Sequence, residues 1–178
     1  RALIHQTFEN PLGKEGINQS KKVAKKLSKT HFDRFFSSPY KRAEQTAEII
    51  NKELNLKIET KELTAEFKNP TQIMGKKYDD PSNKNIKALI KKNIRDPNYH
   101  YSDEENATDF VTRIKKLKKY LETLEEKKIF IVSHGQVIKQ FSYQITNQIL
   151  NNEVDAYLKC KEIFKTNNTG VTKFEYRK

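Results

Sequence analysis

Apolar residues recur along the chain at two periods. From Lys14 to Ser28, Ile17, Val23, Ala24 and Leu27 fall at near-helical spacing behind the turn signal Asn10-Pro11, with Gly13 and Gly16 near the start, which predicts an amphipathic helix. Such a helix needs a sheet to cover. Residues 32–36, FDRFF, predict a short strand, followed by the polar turn Ser37-Ser38-Pro39 and a second helical segment carrying Ala43, Ala47, Ile49, Ile50 and Leu54. Another strand is predicted at about 56–60. The strongest helical pattern runs from Ala107 to Glu125, with Phe110, Val111, Ile114, Leu117, Leu121 and Leu124 on one face and Asn106 as its cap. It leads into Ile129-Phe130-Ile131-Val132, apolar on both faces, as a central parallel strand covered by helices requires. Residues 170–176, GVTKFEY, predict a further strand. Helices and strands alternate, so the predicted class is α/β.

Length and composition narrow the picture. A chain of 178 residues is expected to form one domain, 1–178, with room for a proper core. The single Cys160 excludes an intramolecular disulfide, and with four scattered histidines it argues against a structural zinc site, a usage that suits a reducing cytosol. No apolar run is long enough to span a bilayer, so no membrane partner is expected. The net charge of +12 invites a nucleic-acid reading. Yet Lys21, Lys22, Lys25 and Lys26, like Lys115, Lys116, Lys118 and Lys119, occupy the polar positions of the two helices, which is how a solvated face is built. No specific nucleic-acid partner is expected.

The chemistry gathers where strands end. In open α/β sheets, ligands bind beyond the carboxyl ends of the strands. Two of the predicted strands end there in polar residues, FFSSPYKRAEQT after the first and IFIVSHGQVI after the later one. Arg42 falls in the first turn of its helix, beside free backbone N–H groups and the positive end of the helix dipole, where a guanidinium can fork onto a phosphate or carboxylate. His134 stands at a strand tip with Gly135 permitting a tight turn. Taken singly, Arg42 reads rather as an ordinary surface arginine near a helix start and His134 as a core histidine bonded to backbone.

Together with their spacing, these motifs resemble the histidine phosphatase superfamily, the phosphoglycerate-mutase-like fold. SSPYKRAEQTAE and, about ninety residues on, an apolar strand followed by SHG carry the resemblance; NPLGKEG, DEENATDFVTRI and NNTGVT extend it over nearly the whole chain. The resemblance implies a three-layer α/β/α sandwich with a mostly parallel central sheet. It also implies a metal-independent phosphatase without cofactor: a histidine attacks phosphorus, two arginines and a second histidine clamp the phosphoryl oxygens, and an acid protonates the leaving oxygen. Its substrate would be a small phosphorylated molecule and its product inorganic phosphate. Arg42 matches the second clamp arginine, His134 the second histidine and Arg1 the first arginine. Glu66, in ELTAEFKNP, stands where the family's acid follows its third strand; beside Phe67 its pKa would rise, although a solvated loop glutamate fits as well. Glu105 suits either the pocket rim or a helix N-terminal charge. His31 and His100 read as surface residues.

The match breaks at the start. The family's nucleophile follows an arginine in an arginine-histidine-glycine or arginine-histidine-alanine motif; here Ala2 follows Arg1 directly, and the preceding strand is not written. A histidine is therefore expected between Arg1 and Ala2, a modified residue left out of the written chain. Two alternatives stay open: His5 as nucleophile, cramped by Pro11 six residues on, or a catalytically inactive relative that binds a phosphorylated ligand. A mutase-type phosphotransferase is the runner-up activity, disfavoured by a short chain without a long insertion to enclose an intermediate. Specificity is left to loops such as 68–105.

Overall fold

The computed structural model describes residues 4–146 and 152–175. Within them the elements run α1 (Lys14–Leu27), β1 (Arg34–Ser37), α2 (Lys41–Leu54), β2 (Ile58–Thr60), α3 (Pro81–Lys92), α4 (Ala107–Glu122), β3 (Ile129–Val132), α5 (Gly135–Thr146) and α6 (Glu153–Ile163). The three strands are parallel in the order β2-β1-β3, with Phe35 opposite Ile58 and Phe130, and Ser37 opposite Thr60 and Val132.

Successive residues of β1 face opposite layers. Phe35 joins Val23 and Ala24 of α1, Ala43, Ala47 and Ile50 of α2, and Val132 of β3 in one core. Phe36 turns the other way and meets the Tyr120 ring of α4 at 6.0 Å. On that side α4 supplies Phe110, Val111, Ile114 and Leu117, α5 Val137 and Tyr143, and α6 Val154, Ala156, Tyr157 and Cys160. Burying such side chains contributes about 1.5–3 kcal/mol each. Two helical layers thus enclose one parallel sheet, the expected α/β/α sandwich. The lysine runs of α1 lie on its exposed face, and no helix among the described residues is long and apolar enough to cross a membrane.

Several expectations are corrected. Among the described residues β1, not β3, is the central strand; Ile129, Phe130 and Ile131 stay half-buried at an edge. Their apolar run reflects the helices that cover the sheet on both faces. Residues 170–175 form no strand, and Val171 and Phe174 are 60% and 39% exposed; Tyr176 lies outside the described residues. β1 starts at Arg34 rather than Phe32, because the Asp33 carboxylate accepts from the Lys128 N–H at 2.7 Å and fixes the approach to the sheet. α4 stops at Glu122: the N–H groups of Thr123 and Leu124 close a tighter turn onto the Tyr120 and Leu121 carbonyls. Asn106 caps α4 as expected, its side chain accepting from the Asp109 N–H in a capping box. The 68–105 segment contains α3, started by Asp80, which accepts from the Ser82 N–H at 2.8 Å, with Pro81 in the first turn.

At the amino end of the sheet, Arg34 ties three segments. Its guanidinium donates to both carboxylate oxygens of Glu59 on β2, at 2.8 and 3.1 Å, and to Glu126 beyond α4 at 2.9 Å.

Candidate active site

At the opposite, carboxyl end, the loops after β1 and β3 are joined by one backbone bond, the Ser38 N–H donating to the Val132 carbonyl at 3.0 Å. Ser38 is wholly buried, and its hydroxyl lies 2.7 Å from His134 Nε2 while accepting from the Tyr40 N–H at 3.3 Å. The His134 carbonyl accepts from the Ile138 N–H and so begins α5. The loop before it is pinned by Ser133, whose hydroxyl donates to the Thr64 carbonyl at 2.7 Å. Burial, helped by the positive charges of Arg42 and Arg113, pushes the His134 imidazole down to about 3. The ring is therefore neutral at physiological pH.

Gly135 serves a different purpose from the one expected. It has no positive φ and is the first residue of α5; a Cβ there would meet the Thr166 hydroxyl at 3.0 Å. The missing side chain makes room for the 166 loop rather than for a tight turn.

Tyr40, which the sequence did not single out, stands between the two motif residues. The Arg42 guanidinium lies 4.6 Å over its ring, and the His134 ring meets its edge at 5.0 Å. Arg42 also donates to the Thr7 carbonyl at 3.1 Å, which holds the segment before α1 against the site. One detail departs from expectation: the Lys41 N–H in the same turn is taken by the Phe8 carbonyl. Burial holds Arg42 below an ordinary arginine, while Glu66, Tyr40 and Tyr78 act in the opposite direction.

Glu66 approaches from the turn after β2. Burial raises its carboxyl above the ordinary glutamate range, against the pull of the Phe67 N–H, Arg42, the Gln136 N–H and Arg113. The Phe67 N–H reaches its Oε1 at 2.9 Å, and Gln136 lies in the first turn of α5. It is not a solvated loop glutamate. Its charge is felt at Arg42, and Arg42's at His134, so the three share one electrostatic field.

Arg113 of α4 is the larger omission. Its guanidinium forks onto Glu105 at 2.6 and 2.8 Å and donates to the Leu63 and Ala65 carbonyls, both at 2.9 Å, bracing the turn that carries Glu66. Glu105 is thus the anchor of Arg113 rather than a free rim carboxylate, and it also accepts from the Lys68 N–H. The only signal was an arginine within DEENATDFVTRI, three residues after Phe110 and on the edge of the apolar face.

Of the remaining candidates, Arg1 and Ala2 lie outside the described residues. His5 is buried in the turn around Gly75, its ring edge-on to Tyr78 at 4.3 Å. His31 is exposed beside Asp33, and His100 lies at the surface with Nε2 2.6 Å from Asp109. Among the described residues no group of three or more His, Cys, Asp or Glu side chains gathers to hold a metal ion.

The chain belongs to the histidine phosphatase superfamily: a sequence model of its branch 1 matches residues 2–178. Among solved structures it is similar to the α-ribazole phosphatase of Shigella flexneri, with 19% identity and a TM-score of 0.69 over 89% of this chain and 76% of that one. It is also similar to a mycobacterial glucosyl-3-phosphoglycerate phosphatase, at 16% identity and a TM-score of 0.68 over 88% and 76% of the two chains. A phosphoserine phosphatase mutant from Entamoeba histolytica, solved with phosphoserine, is 22% identical with a TM-score of 0.67 over 95% of this chain and 80% of that one. No curated protein matches the chain in sequence. At these identities the likenesses show a shared fold.

Proposed function

We propose that the protein is a cytosolic, metal-independent phosphatase that hydrolyses a small phosphate monoester through a phosphohistidine. The observation that carries this reading is the convergence of a neutral His134, a half-buried Arg42 and a carboxyl of raised pKa, Glu66, at one sheet edge. Arg42 and His134 hold the phosphoryl oxygens, with Arg1 as the first arginine of the clamp. A neutral imidazole can donate one N–H to a phosphoryl oxygen without adding charge, and a bound phosphate dianion would favour its protonated form. The nucleophile is the histidine that the family's motif carries after the position of Arg1. Its nitrogen forms a P–N bond as the P–O bond to the leaving group breaks, and Glu66 gives its proton to the departing alkoxide. Glu66 then takes a proton from the water that displaces phosphate from nitrogen. The substrates named for the structural neighbours, α-ribazole phosphate, glucosyl-3-phosphoglycerate and phosphoserine, are alcohol phosphates, which need such an acid.

One observation favours a second reading: Ala2 follows Arg1 in the chain as written, and a site without its nucleophile would bind a phosphorylated ligand and release it unchanged. Rapid quenching after brief exposure to substrate separates the two. The phosphatase is expected to carry an acid-labile, base-stable phosphate on the histidine after Arg1, with His134 unlabelled. A chain that forms no phosphoenzyme, yet binds phosphate in a way lost in Arg42→Ala, is the binding relative.

A further inference from the structure

Between α3 and α4, residues 97–106 form a strap held largely by carboxylates. Asp103 accepts from the Thr71 N–H at 2.9 Å and pairs with Lys68 Nζ at 3.1 Å. Glu104 is buried and accepts from the Tyr101 and Ser102 N–H groups at 2.5 and 2.8 Å. Glu105 accepts from the Lys68 N–H at 3.2 Å and takes the Arg113 fork. Asp109, in the first turn of α4, accepts from the Asn106 N–H at 3.2 Å and faces His100 Nε2 at 2.6 Å. Four carboxylates thus lie within positions 103–109, and three of them meet a basic side chain: Lys68, Arg113 or His100. A lysine and an arginine keep their charge through the neutral range; a histidine does not. The surroundings of His100 fit its charged form. Its other ring nitrogen, Nδ1, lies 3.3 Å from the Asn98 carbonyl, so both nitrogens face groups that only accept. An imidazolium donates to both, whereas a neutral ring has one N–H and turns a lone pair toward the other oxygen. The charged groups that act on the ring are Asp109 of α4 and Glu104 of the strap, both negative. The Asp109 hydrogen bond and charge, with smaller help from Asn98 and Glu104, hold the imidazole above the ordinary histidine value of 6.5 against desolvation.

We propose that His100 is a pH-sensitive clasp: as an imidazolium it fastens the 97–106 strap to the first turn of α4, and on losing its proton it loosens that hold. The consequence reaches the candidate site because the same strap carries Glu105, which anchors Arg113 and, through the Leu63 and Ala65 carbonyls, the turn that bears Glu66. The clasp does not depend on the phosphatase reading. Because the folded value lies above the unfolded one, its stabilisation is complete below 6.5 and is lost as pH rises through the raised value. The two side chains are 36% and 47% exposed, so water screens the pair and the loosening is graded rather than all-or-none.

NMR on the wild-type protein reads two signals: the His100 ring through a pH titration, and the protection of three amides from hydrogen exchange, corrected for the intrinsic pH dependence of exchange. The amides are Ser102, Thr71 and Lys68, which donate to Glu104, Asp103 and Glu105 in turn. The ring should titrate above 6.5, and protection should be about two- to fivefold higher at about pH 5.5 than at about pH 8.5. Asp109→Asn, which keeps an oxygen for the Asn106 N–H, should lower the midpoint of the ring and shrink that difference. His100→Gln, neutral at every pH, should show the weaker protection at both values. A ring that titrates at or below 6.5, equal wild-type protection at the two values, or an unaltered difference in His100→Gln overturns the inference and leaves the phosphatase reading intact. The wild-type measurements decide it alone should either variant fail to fold.

Discussion

Replacing Arg113 by methionine is the sharpest probe of how the site is held. The guanidinium makes four hydrogen bonds, two to Glu105 and one each to the Leu63 and Ala65 carbonyls, and the two charged side chains are only 17% and 18% exposed. Removing one partner of a buried pair costs about 3–5 kcal/mol, chiefly because the other charge stays behind. Glu105 keeps the Lys68 N–H and some access to water, which favours the lower end, about 3 kcal/mol. For a domain of this size each kcal/mol moves Tm by about 2–4 °C, so a fall on the order of 10 °C is expected in a calorimetric melt. The turn carrying Glu66 loosens with it, so kcat on an alkyl phosphate should fall by more than kcat on nitrophenyl phosphate. Arg113→Lys keeps the charge but cannot fork onto a carboxylate, and should recover only a minor part of either loss. A Met variant that melts within about 2 °C of wild type, with kcat unchanged, would refute the bracing role, because a four-bond anchor is worth more than that.

The remaining expectations concern the proposed catalytic groups. Arg42→Ala and His134→Ala should each lower kcat/KM on a generic phosphate monoester by about a hundredfold or more with folding retained, since each deletes a donor aimed at developing charge; near wild-type turnover in a folded variant would remove that residue from the site. Because the Glu66 carboxyl is raised, it stays protonated above the usual glutamate range, and kcat/KM for an alkyl phosphate should decline as pH rises through that raised value. Glu66→Gln should abolish this limb and slow alkyl esters far more than nitrophenyl phosphate, whose leaving group needs little protonation; equal slowing of both would reassign the acid. The folded His134 ring resists protonation down to about 3, whereas the unfolded ring takes a proton below its ordinary value. Stability is therefore full above about 6.5 and is lost as pH falls toward 3. His134→Gln should flatten the decline in Tm between pH 7 and pH 4, and a slope identical to wild type would show that the ring is not buried neutral.

What could be read from the sequence differs by element for physical reasons. The β3 strand and His134 were legible because an apolar run that stops abruptly at polar residues marks both a covered strand and its tip. α4 was legible because six apolar residues share one face and Asn106 offers a cap. The strand expected at 170–176 is not seen over 170–175 because a strand is a pairing property: Val171 and Phe174 have strand-like character but pair with no strand among the described residues, and Phe174 packs on Phe141. α3 carried a readable start in Asp80-Pro81, overlooked because its apolar face is short. Arg113 and Tyr40 were not legible as site residues. An arginine on an amphipathic helix and a tyrosine in a turn acquire their roles only from what the fold sets opposite them, here two carbonyls and a carboxylate for one, an imidazole and a guanidinium for the other.

The Arg34 fork at the far end of the sheet bears on how the chain finds its structure. Arg34 and Glu126 are 92 positions apart, and the β1–β3 ladder they flank joins equally distant stretches. Contacts of such span must close a long loop before any of them is rewarded, and parallel pairings of this kind are slow to form. The packing of α1 on α2, which joins stretches close in sequence, can form earlier. If the fork forms after the barrier is crossed, it acts as a latch: cutting it leaves the rate of folding nearly untouched and shortens the lifetime of the folded state. An ion pair at the opposite end of the sheet from the proposed phosphate clamp would then govern how long the site persists.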